Sequence, residues 1–318
     1  MSDASLKKTG KVIALCGGVG GAKLAWGLAQ VLSPEQLTLI VNTGDDFEHL
    51  GLHISPDIDT VLYTLAHRNN RELGWGLQDE SWQCMAALEQ LGGETWFRLG
   101  DKDLATHFFR TQLLASGKTL TQVTAQLSSA LGITHRILPM CDTAQPTLVD
   151  TEQSTLAFQH YFVREQCKPV VRGVRYQQAN NAQMSDEVRA ALTDHALTHI
   201  IICPSNPWLS IAPILAVPEL RALLQTQREK ITVVSPLIGG QAVKGPTAKM
   251  MAEMQIATDS FSIADFYRDL LGILVIDDCD AQDTEILRAE KIHVTVFKTL
   301  MRSDADKIGL AKNLLGAC

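Results

Sequence analysis

The chain has 318 residues and 46% of them are hydrophobic, which is enough to bury one large α/β domain or two smaller ones. The formal net charge is −7, which argues against a nucleic-acid-binding protein, because such proteins normally carry a basic excess. No apolar run approaches the length that crosses a bilayer, and the run at 12–16 is too short for a signal peptide, so we expect a cytoplasmic protein that binds neither nucleic acid nor membrane.

Six short apolar runs rich in β-branched residues predict buried strands. They lie at 11–16, 37–43, 199–203, 230–235, 273–278 and 293–297. The runs lack polar–apolar alternation, which is typical of strands that are covered on both faces. Helical patterns lie between many of them, so the sequence predicts an α/β fold whose doubly wound, mainly parallel sheet is formed by residues 11–60 and 196–318.

The middle of the chain, residues 61–195, has a different pattern. Leu and Ala recur at helical spacing to about Leu131, and short strand-like pieces follow at 147–151, 154–163 and 169–176. This change of pattern predicts an inserted region with a helical part followed by a small β-rich part.

A glycine-rich turn follows the first predicted strand. Gly18, Gly20 and Gly21 allow the backbone to approach a ligand closely, and Lys23 adds a positive charge in the first turn of the next helix. The free N–H groups of that helix would favour an anion. The string is neither a Walker A motif nor a strict G-x-G-x-x-G, so a tight turn without a ligand is the alternative.

Four carboxylates follow the second predicted strand within fifteen residues. Asp45 and Asp46 end the strand, and Asp57 and Asp59 stand at a helix start beside Pro56. Such a group can hold Mg²⁺, and one member can orient an attacking hydroxyl. The alternative is helix capping and turn formation, since Asp is favoured at both positions.

Three further loops contain groups that can bind a ligand. The segment 96–107 places Trp96 and Phe97 beside Arg98, the loop after 199–203 contains Ser205 and Asn206, and the loop 235–246 contains Gly239, Gly240 and Lys244. A solvated loop, a proline-shaped turn and a flexible loop are the respective alternatives. Ligands of open parallel sheets bind at the carboxyl ends of the strands. These loops together therefore predict a phosphorylated nucleotide with a divalent cation, and phosphoryl-type transfer or hydrolysis.

Several unusual strings resemble the CofD family of 2-phospho-L-lactate transferases. They include, in this order, GGVGGAK, VNTGDD, ISPDIDTVLYTL, WFRLGDKDLATH, PSNPWLSIAPILAVP and SPLIGGQAVKGP. The resemblance spans roughly 11–300, and it implies a Rossmann-like core with an insertion, a homodimer and a Mg²⁺ requirement. The implied reaction, in coenzyme F(420) biosynthesis, moves a phospho-acid from a guanosine diphosphate-linked donor to a deazaflavin alcohol and releases GMP. Val19 replaces the commoner Thr of the family, which removes a hydroxyl and leaves backbone contacts to phosphate.

The resemblance also implies roles for single residues. Asp45, Asp57 and Asp59 would be catalytic, and Asp45, Asp46 and Asp57 would hold the metal. Asp59, Arg98 and Asp101 would contact the deazaflavin. The guanosine nucleotide would be surrounded by Gly18, Gly20, Gly21, Lys23, Ser205, Asn206, Gly239 and Gly240.

Two other functions are compatible with parts of the sequence. A related group of non-catalytic, gluconeogenesis-associated regulators shares the glycine-rich first turn and binds nucleotide sugars, but the strings around Asp57 and Arg98 favour the transferase. A dinucleotide-dependent oxidoreductase is disfavoured, because the strict glycine fingerprint is absent and the second strand ends in NTGDD instead of a lone acidic residue.

Overall fold

The computed structural model describes residues 10–243 and 245–316, so Lys244 lies outside the described residues. The strands are β1 (Lys11–Cys16), β2 (Leu37–Val41), β3 (Phe47–His49), β4 (Leu52–Ile54), β5 (Arg136–Pro139), β6 (Thr147–Thr151), β7 (Thr155–Ala157), β8 (Val171–Tyr176), β9 (Leu197–Ile202), β10 (Ile231–Val234), β11 (Leu237–Ile238), β12 (Gln241–Ala242), β13 (Ile273–Asp277) and β14 (Val294–Phe297). The α-helices are α1 (Gly18–Ala29), α2 (Pro56–Leu65), α3 (Gln83–Gln90), α4 (Asp103–Ala115), α5 (Leu120–Ala130), α6 (Asp186–Leu192), α7 (Ala212–Leu215), α8 (Pro218–Gln225), α9 (Thr247–Glu253), α10 (Ser260–Phe266), α11 (Thr284–Ala289) and α12 (Asp304–Gly316).

Seven parallel strands form the central sheet, in the order β14-β13-β10-β9-β1-β2-β5. Each of the six apolar runs overlaps one of these strands, so the predicted α/β, doubly wound fold is confirmed. The strand order reverses beside β1, which pairs with β2 on one side and with β9 on the other. This reversal opens a crevice at the carboxyl ends of β1 and β9, where such sheets bind ligands.

The central sheet is covered on both faces. In β1, Ile13 and Leu15 pack into one hydrophobic core, whereas Val12, Ala14 and Cys16 pack into a second core on the other face. Successive side chains of a strand point to opposite faces, so a strand between two cores needs apolar residues at every position. This double burial is the physical reason for the continuous apolar runs in the sequence.

The predicted insertion is less separate from the core than its pattern suggested. Helix α2 crosses the expected boundary at residue 60, and β5, which lies inside 61–195, is an edge strand of the central sheet beside β2. Helix α5 packs against β5. The strand RILP has only two aliphatic residues, Ile137 and Leu138, between Arg136 and Pro139, so it gives no distinct apolar run and sequence pattern did not assign it to the core.

The β-rich part of the insertion is a three-stranded antiparallel sheet in the order β7-β6-β8. The strand-like stretch at 154–163 differs from the prediction, because it continues after β7 as a π-helical turn, His160–Arg164. This turn places aromatic side chains beside the mouth of the central sheet.

In the described part of the chain, no single helix has the length and apolarity to cross a membrane. The bent pair Pro207–Leu215 and Pro218–Gln225, with 90° between its members, passes that test by length and composition when taken together.

Candidate functional site

A pocket of about 680 Å³ lies at the carboxyl ends of the central strands. Its sheet side is lined by predicted site residues, namely Gly18, Gly20, Lys23, Asp45, Asp57, Asp59, Ser205 and Asn206. Its other side is lined by residues of the inserted region, among them Trp75, Trp96, Phe97, Arg98, Phe158 and Phe162. The glycine turn, the aspartates and the aromatic segments are therefore brought to one cavity.

The glycine turn after β1 is shaped by close contacts. Gly18 has a φ of +61°, a left-handed conformation that favours glycine, and its N–H donates a 2.6 Å hydrogen bond to Oδ1 of Asp57. A Cβ on Gly20 would lie 2.4 Å from the carbonyl oxygen of Pro204, and one on Gly21 would lie 2.5 Å from Oγ of Ser205. The absence of side chains at Gly20 and Gly21 thus lets α1 pack against the loop after β9.

Ser205 joins the two loops on either side of the crevice. Its hydroxyl donates to the carbonyl of Gly17 over 2.8 Å and accepts from the N–H of Gly17 at 3.3 Å. The neighbouring Asn206 accepts hydrogen bonds from the N–H groups of Trp208 and Leu209, so it caps the π-helical turn Pro207–Ile211. Both residues line the pocket, but their side chains also have structural roles.

Asp45 and Asp57 form a buried carboxylate pair with little positive charge nearby. The amide of Asn42 donates to Oδ2 of Asp57 at 2.9 Å and to Oδ1 of Asp45 at 3.4 Å. Burial raises the pKa of Asp57 to about 6. Burial and the charge of Asp57 also raise the pKa of Asp45. The pair therefore favours either a proton or a cation in the pocket.

The residues around this pair fit a divalent cation of the Mg²⁺ type. Carboxylate oxygens are the ligands that Mg²⁺ prefers, and Asp45 and Asp57 both line the pocket. Asp46, predicted as a third ligand, is not brought to the pocket wall. Its Oδ2 accepts from Oγ of Ser55 at 2.7 Å and lies 3.1 Å from Nε2 of His53, because the chain turns between adjacent aspartates. Asp45 and Asp57 remain as candidates.

Asp59 lies on the pocket wall with both oxygens engaged by Arg110. The guanidinium donates through NH1 to Oδ2 at 3.1 Å and through NH2 to Oδ1. His107 and Asp103 lie beside this pair, and with Asp59 they bring three potential ligand atoms within 4.8 Å of one another. The positive charge of Arg110 disfavours a metal ion there. Sequence reasoning missed Arg110, although its spacing from His107 and Asp103 places all three on one face of α4.

The inserted region forms an aromatic wall opposite the aspartates. The ring of Trp96 makes edge contacts with His49 and His160, at centroid distances of 5.1 and 4.8 Å. Phe158 and Phe162 are stacked at 5.4 Å. Rings held in this way offer flat apolar surface to a planar heterocycle.

The remaining predicted site residues are divided between the pocket and its surroundings. Arg98 lines the pocket with its guanidinium carbon 4.4 Å from the ring centre of Trp82, and Lys23 lines it with Nζ 3.2 Å from the carbonyl oxygen of Met301. Asp101 is not among the lining residues. Its carboxylate accepts hydrogen bonds from Oγ of Ser81 and from the N–H groups of Gln83 and Cys84, because the loop that contains Asp101 contacts the N-terminal end of α3.

The second glycine pair is also set back from the cavity. Gly239 and Gly240 have φ values of +59° and +69°, and the N–H of Gly239 donates to Oδ2 of Asp280 at 3.0 Å. Their neighbours Ile238 and Val243 line the pocket. The positive φ values therefore serve the tight turn between β11 and β12, and the predicted nucleotide contact of the two glycines stays a prediction.

Comparison with known proteins gives one consistent result. The family model described as 2-phospho-L-lactate transferase CofD matches residues 12–310. A 2-phospho-L-lactate transferase of Methanosarcina mazei is 36% identical over 306 residues, covering 96% of this chain and 100% of the relative. A phosphoenolpyruvate transferase of Kitasatospora aureofaciens is 36% identical over 298 residues, covering 92% of each chain.

A solved structure shares the fold. A crystal structure of a UPF0052-family protein from Bacillus halodurans superimposes with a TM-score of 0.63 and covers 97% of this chain and 99% of that one, at 14% identity. At this identity the likeness bears on the fold alone.

Proposed function

Because the chain belongs to the CofD family of 2-phospho-L-lactate transferases, we propose that it transfers a phospho-acid from a guanosine diphosphate-linked donor to a deazaflavin alcohol and releases GMP. The acid would be 2-phospholactate, phosphoenolpyruvate or a close analogue, since relatives named for the first two are similar to this chain. In this proposal the protein acts in coenzyme F(420) biosynthesis, as a cytoplasmic homodimer that requires Mg²⁺.

One observation supports the proposal above the others: a single pocket has an anion-binding side and an aromatic side. The N–H groups of Val19 and Gly20 in the first turn of α1, together with the positive end of the helix dipole, suit a diphosphate. Trp96, Phe97 and Phe158 provide flat apolar surface, which suits a deazaflavin ring. The aspartates lie on the wall of the same cavity.

The chemistry follows from this arrangement. The terminal hydroxyl oxygen of the acceptor attacks the phosphorus that bears the acid, and the bond from that phosphorus to the oxygen of GMP breaks, so GMP departs with the electron pair. Asp59 orients the hydroxyl by accepting its hydrogen bond, and the hydroxyl proton is released to water as the new oxygen–phosphorus bond forms. The N–H groups of the glycine turn stabilise the charge on the leaving phosphate. Mg²⁺ held by Asp45 and Asp57 would neutralise part of the charge of the diphosphate.

The test is incubation of the protein with the deazaflavin alcohol, Mg²⁺ and each candidate guanosine donor, with products identified by mass spectrometry. We expect a phosphodiester of the deazaflavin together with an equal amount of GMP. If no donor gives product and the protein binds a UDP-sugar tightly, the transferase proposal is wrong, and the protein is instead a nucleotide-sugar-binding regulator.

A further inference from the structure

A row of connected polar side chains lies beside Asp59 and is distinct from the carboxylate pair of Asp45 and Asp57. The hydroxyl of Tyr63 donates to Oδ1 of Asp103 at 2.5 Å, and Oδ2 of Asp103 lies 3.2 Å from Nε2 of His107. Nδ1 of His107 lies 3.2 Å from NH1 of Arg110. Arg110 in turn holds both oxygens of Asp59. The row therefore runs from Tyr63 to Asp59. Four of its members line the pocket, namely Tyr63, Asp103, His107 and Asp59, and Arg110 is set back behind them.

Arg110 acts on the pocket through two lining residues that it contacts, Asp59 and His107. It is fully buried and is not among the residues that line the cavity, whereas Asp59 is. Burial opposes its charge, but the attraction and hydrogen bonds of Asp59 raise the pKa of Arg110 above its ordinary value. A bidentate guanidinium–carboxylate contact fixes the plane of the carboxylate as well as its position. Arg110 thus sets the direction in which Asp59 presents its oxygens.

The two neighbours of His107 define the protonation of its ring. Arg110 has donors and no acceptor, so the Nδ1 atom that faces it must present a lone pair. Nε2 faces the acceptor Asp103, although the pair is not well aligned and Nε2 has no regular hydrogen bond within the described residues. Nδ1 is 3.7 Å from Oδ2 of Asp59, which is too long for a hydrogen bond. This geometry suits a ring that accepts on Nδ1 and has its proton on Nε2.

We propose that Arg110 and His107 are positioning residues, which hold the carboxylate of Asp59 in one orientation toward the acceptor hydroxyl. His107 is a neutral connector between Arg110 and Asp103 and does not take the proton of the hydroxyl. This inference rests on the proposed function for its catalytic consequence, but the state of the His107 ring can be tested without substrate.

The kinetic test uses the variants Arg110→Lys, His107→Leu and His107→Gln. Lysine keeps the charge but cannot make the bidentate contact with Asp59, and leucine removes both contacts of the imidazole. We therefore expect kcat to fall about 10- to 100-fold in Arg110→Lys and in His107→Leu. The KM for the guanosine donor should stay within about twofold of wild type, since the donor side is untouched. Glutamine can accept from Arg110 and donate to Asp103, so it should keep kcat within about threefold.

Loss of folding is separated from loss of positioning by GMP binding and thermal unfolding of each variant. A wild-type kcat in Arg110→Lys would overturn the role of Arg110. A fall in His107→Gln as deep as in His107→Leu would show that the imidazole exchanges a proton, and would overturn the neutral connector. If His107→Leu does not fold, Arg110→Lys still tests the role of Arg110, and the kcat of His107→Gln relative to wild type still tests the role of His107.

The second test is ¹⁵N NMR of protein labelled at histidine, with His107→Gln used to assign the signal. We expect a neutral ring protonated on Nε2 near neutral pH, and an imidazolium or a proton on Nδ1 would overturn the assignment. This measurement distinguishes two failures. A wild-type protein that makes no product contradicts the proposed function, whereas a charged His107 contradicts the inference.

Discussion

The backbone N–H of Gly18 donates a 2.6 Å hydrogen bond to Oδ1 of Asp57. The glycine turn after β1 and the aspartate cluster after β2 are therefore in direct contact at the carboxyl ends of neighbouring strands. A group bound by the turn lies within reach of the carboxylates, and four predictions follow from the geometry around this contact.

Gly20→Ala should weaken the binding of GMP by at least about tenfold. The added Cβ would lie 2.4 Å from the carbonyl oxygen of Pro204, which is backbone and can move only with its loop. Overpacking of this kind costs roughly 1 to 3 kcal/mol, and here the strain falls on the two loops that face the ligand. Isothermal titration calorimetry with GMP measures the change.

Gly309→Ala is the matched control, because Gly309 lies in α12 and its added Cβ would meet no atom within 4 Å. Its GMP affinity should equal that of wild type, and its free energy of unfolding should rise by about 0.5 to 1 kcal/mol. Unchanged affinity in Gly20→Ala would mean that the ligand does not use this turn.

Asp45→Asn should lower product formation by at least about a hundredfold while leaving the protein folded. Burial and the charge of Asp57 raise the pKa of Asp45, so removing the carboxylate relieves repulsion in the folded state. The free energy of unfolding without Mg²⁺ should therefore stay level or rise. Asp59→Asn should also abolish product. Turnover by mass spectrometry and denaturant unfolding measure the two quantities.

Asp101→Asn serves as the carboxylate control for that experiment. Its side chain accepts from two backbone N–H groups at the start of α3 and lies away from the pocket. We expect a wild-type kcat and a nearly unchanged free energy of unfolding, because asparagine keeps an acceptor oxygen for the two N–H groups and is as good a helix cap as aspartate. A large fall in kcat for Asp101→Asn, or wild-type turnover in both Asp45→Asn and Asp59→Asn, would reverse these assignments.

Trp96→Leu should raise the Kd for the deazaflavin alcohol roughly tenfold, because a stacked aromatic contact contributes on the order of 1 to 3 kcal/mol. The Kd for GMP should not change, since Trp96 belongs to the inserted region and the glycine turn belongs to the central sheet. The fluorescence of the deazaflavin reports its binding. Phe108→Leu, an exposed aromatic of α4 that is not among the pocket residues, should bind both ligands as wild type does.

Asp277→Asn should reduce the acid sensitivity of the fold. Burial opposes ionisation of Asp277, but hydrogen bonds from the N–H groups of Cys279 and Thr299 and from the hydroxyl of Thr299 bring its pKa down to about 2. The folded pKa lies below the unfolded value of about 3.9, so the stabilising contribution is complete above about pH 5 and is lost as the pH falls toward 2. We expect the ionised carboxylate to contribute about 1 to 2 kcal/mol to the free energy of unfolding above that pH.

Denaturant unfolding at a series of pH values measures this difference. The Asn variant should be less stable than wild type at pH values near 6, and the two curves should converge on acidification. Parallel curves would show that the carboxylate of Asp277 is not specifically held. Because Asp277 accepts both the N–H and the hydroxyl of Thr299, which lines the pocket, acidification should also loosen that wall.

The fold was largely predictable because of how its strands are buried. Each central strand between two cores needs apolar residues throughout, which gives the continuous runs at positions such as 11–16 and 273–278. Strand β5 was not recognised as part of the core, because its sequence RILP has only two aliphatic residues between an arginine and a proline. The π-helical turn His160–Arg164 has the aromatic content of a strand, and local pattern cannot separate the two.

The candidate site was predictable where it follows strand ends and less so where it depends on side-chain direction. Asp45 and Asp57 reach the pocket, but adjacent Asp46 turns to His53 and Ser55, and Asp101 turns to the start of α3. A sequence motif predicts which loop lies at the site, but it does not predict the direction in which each carboxylate of that loop points. Arg110 was missed because its partner Asp59 is 51 residues away in sequence, and a long-range pair leaves no local signal.

The hydroxyl of Ser205, bonded to both the carbonyl and the N–H of Gly17, limits how this protein can be re-engineered. These two hydrogen bonds join the loops after β1 and β9, and there is no room for a side chain between Gly20 and Pro204. A graft that exchanges one loop for that of a relative with another donor would leave the retained loop with a mismatched partner. Donor preference should therefore be transplantable only when both loops are exchanged together.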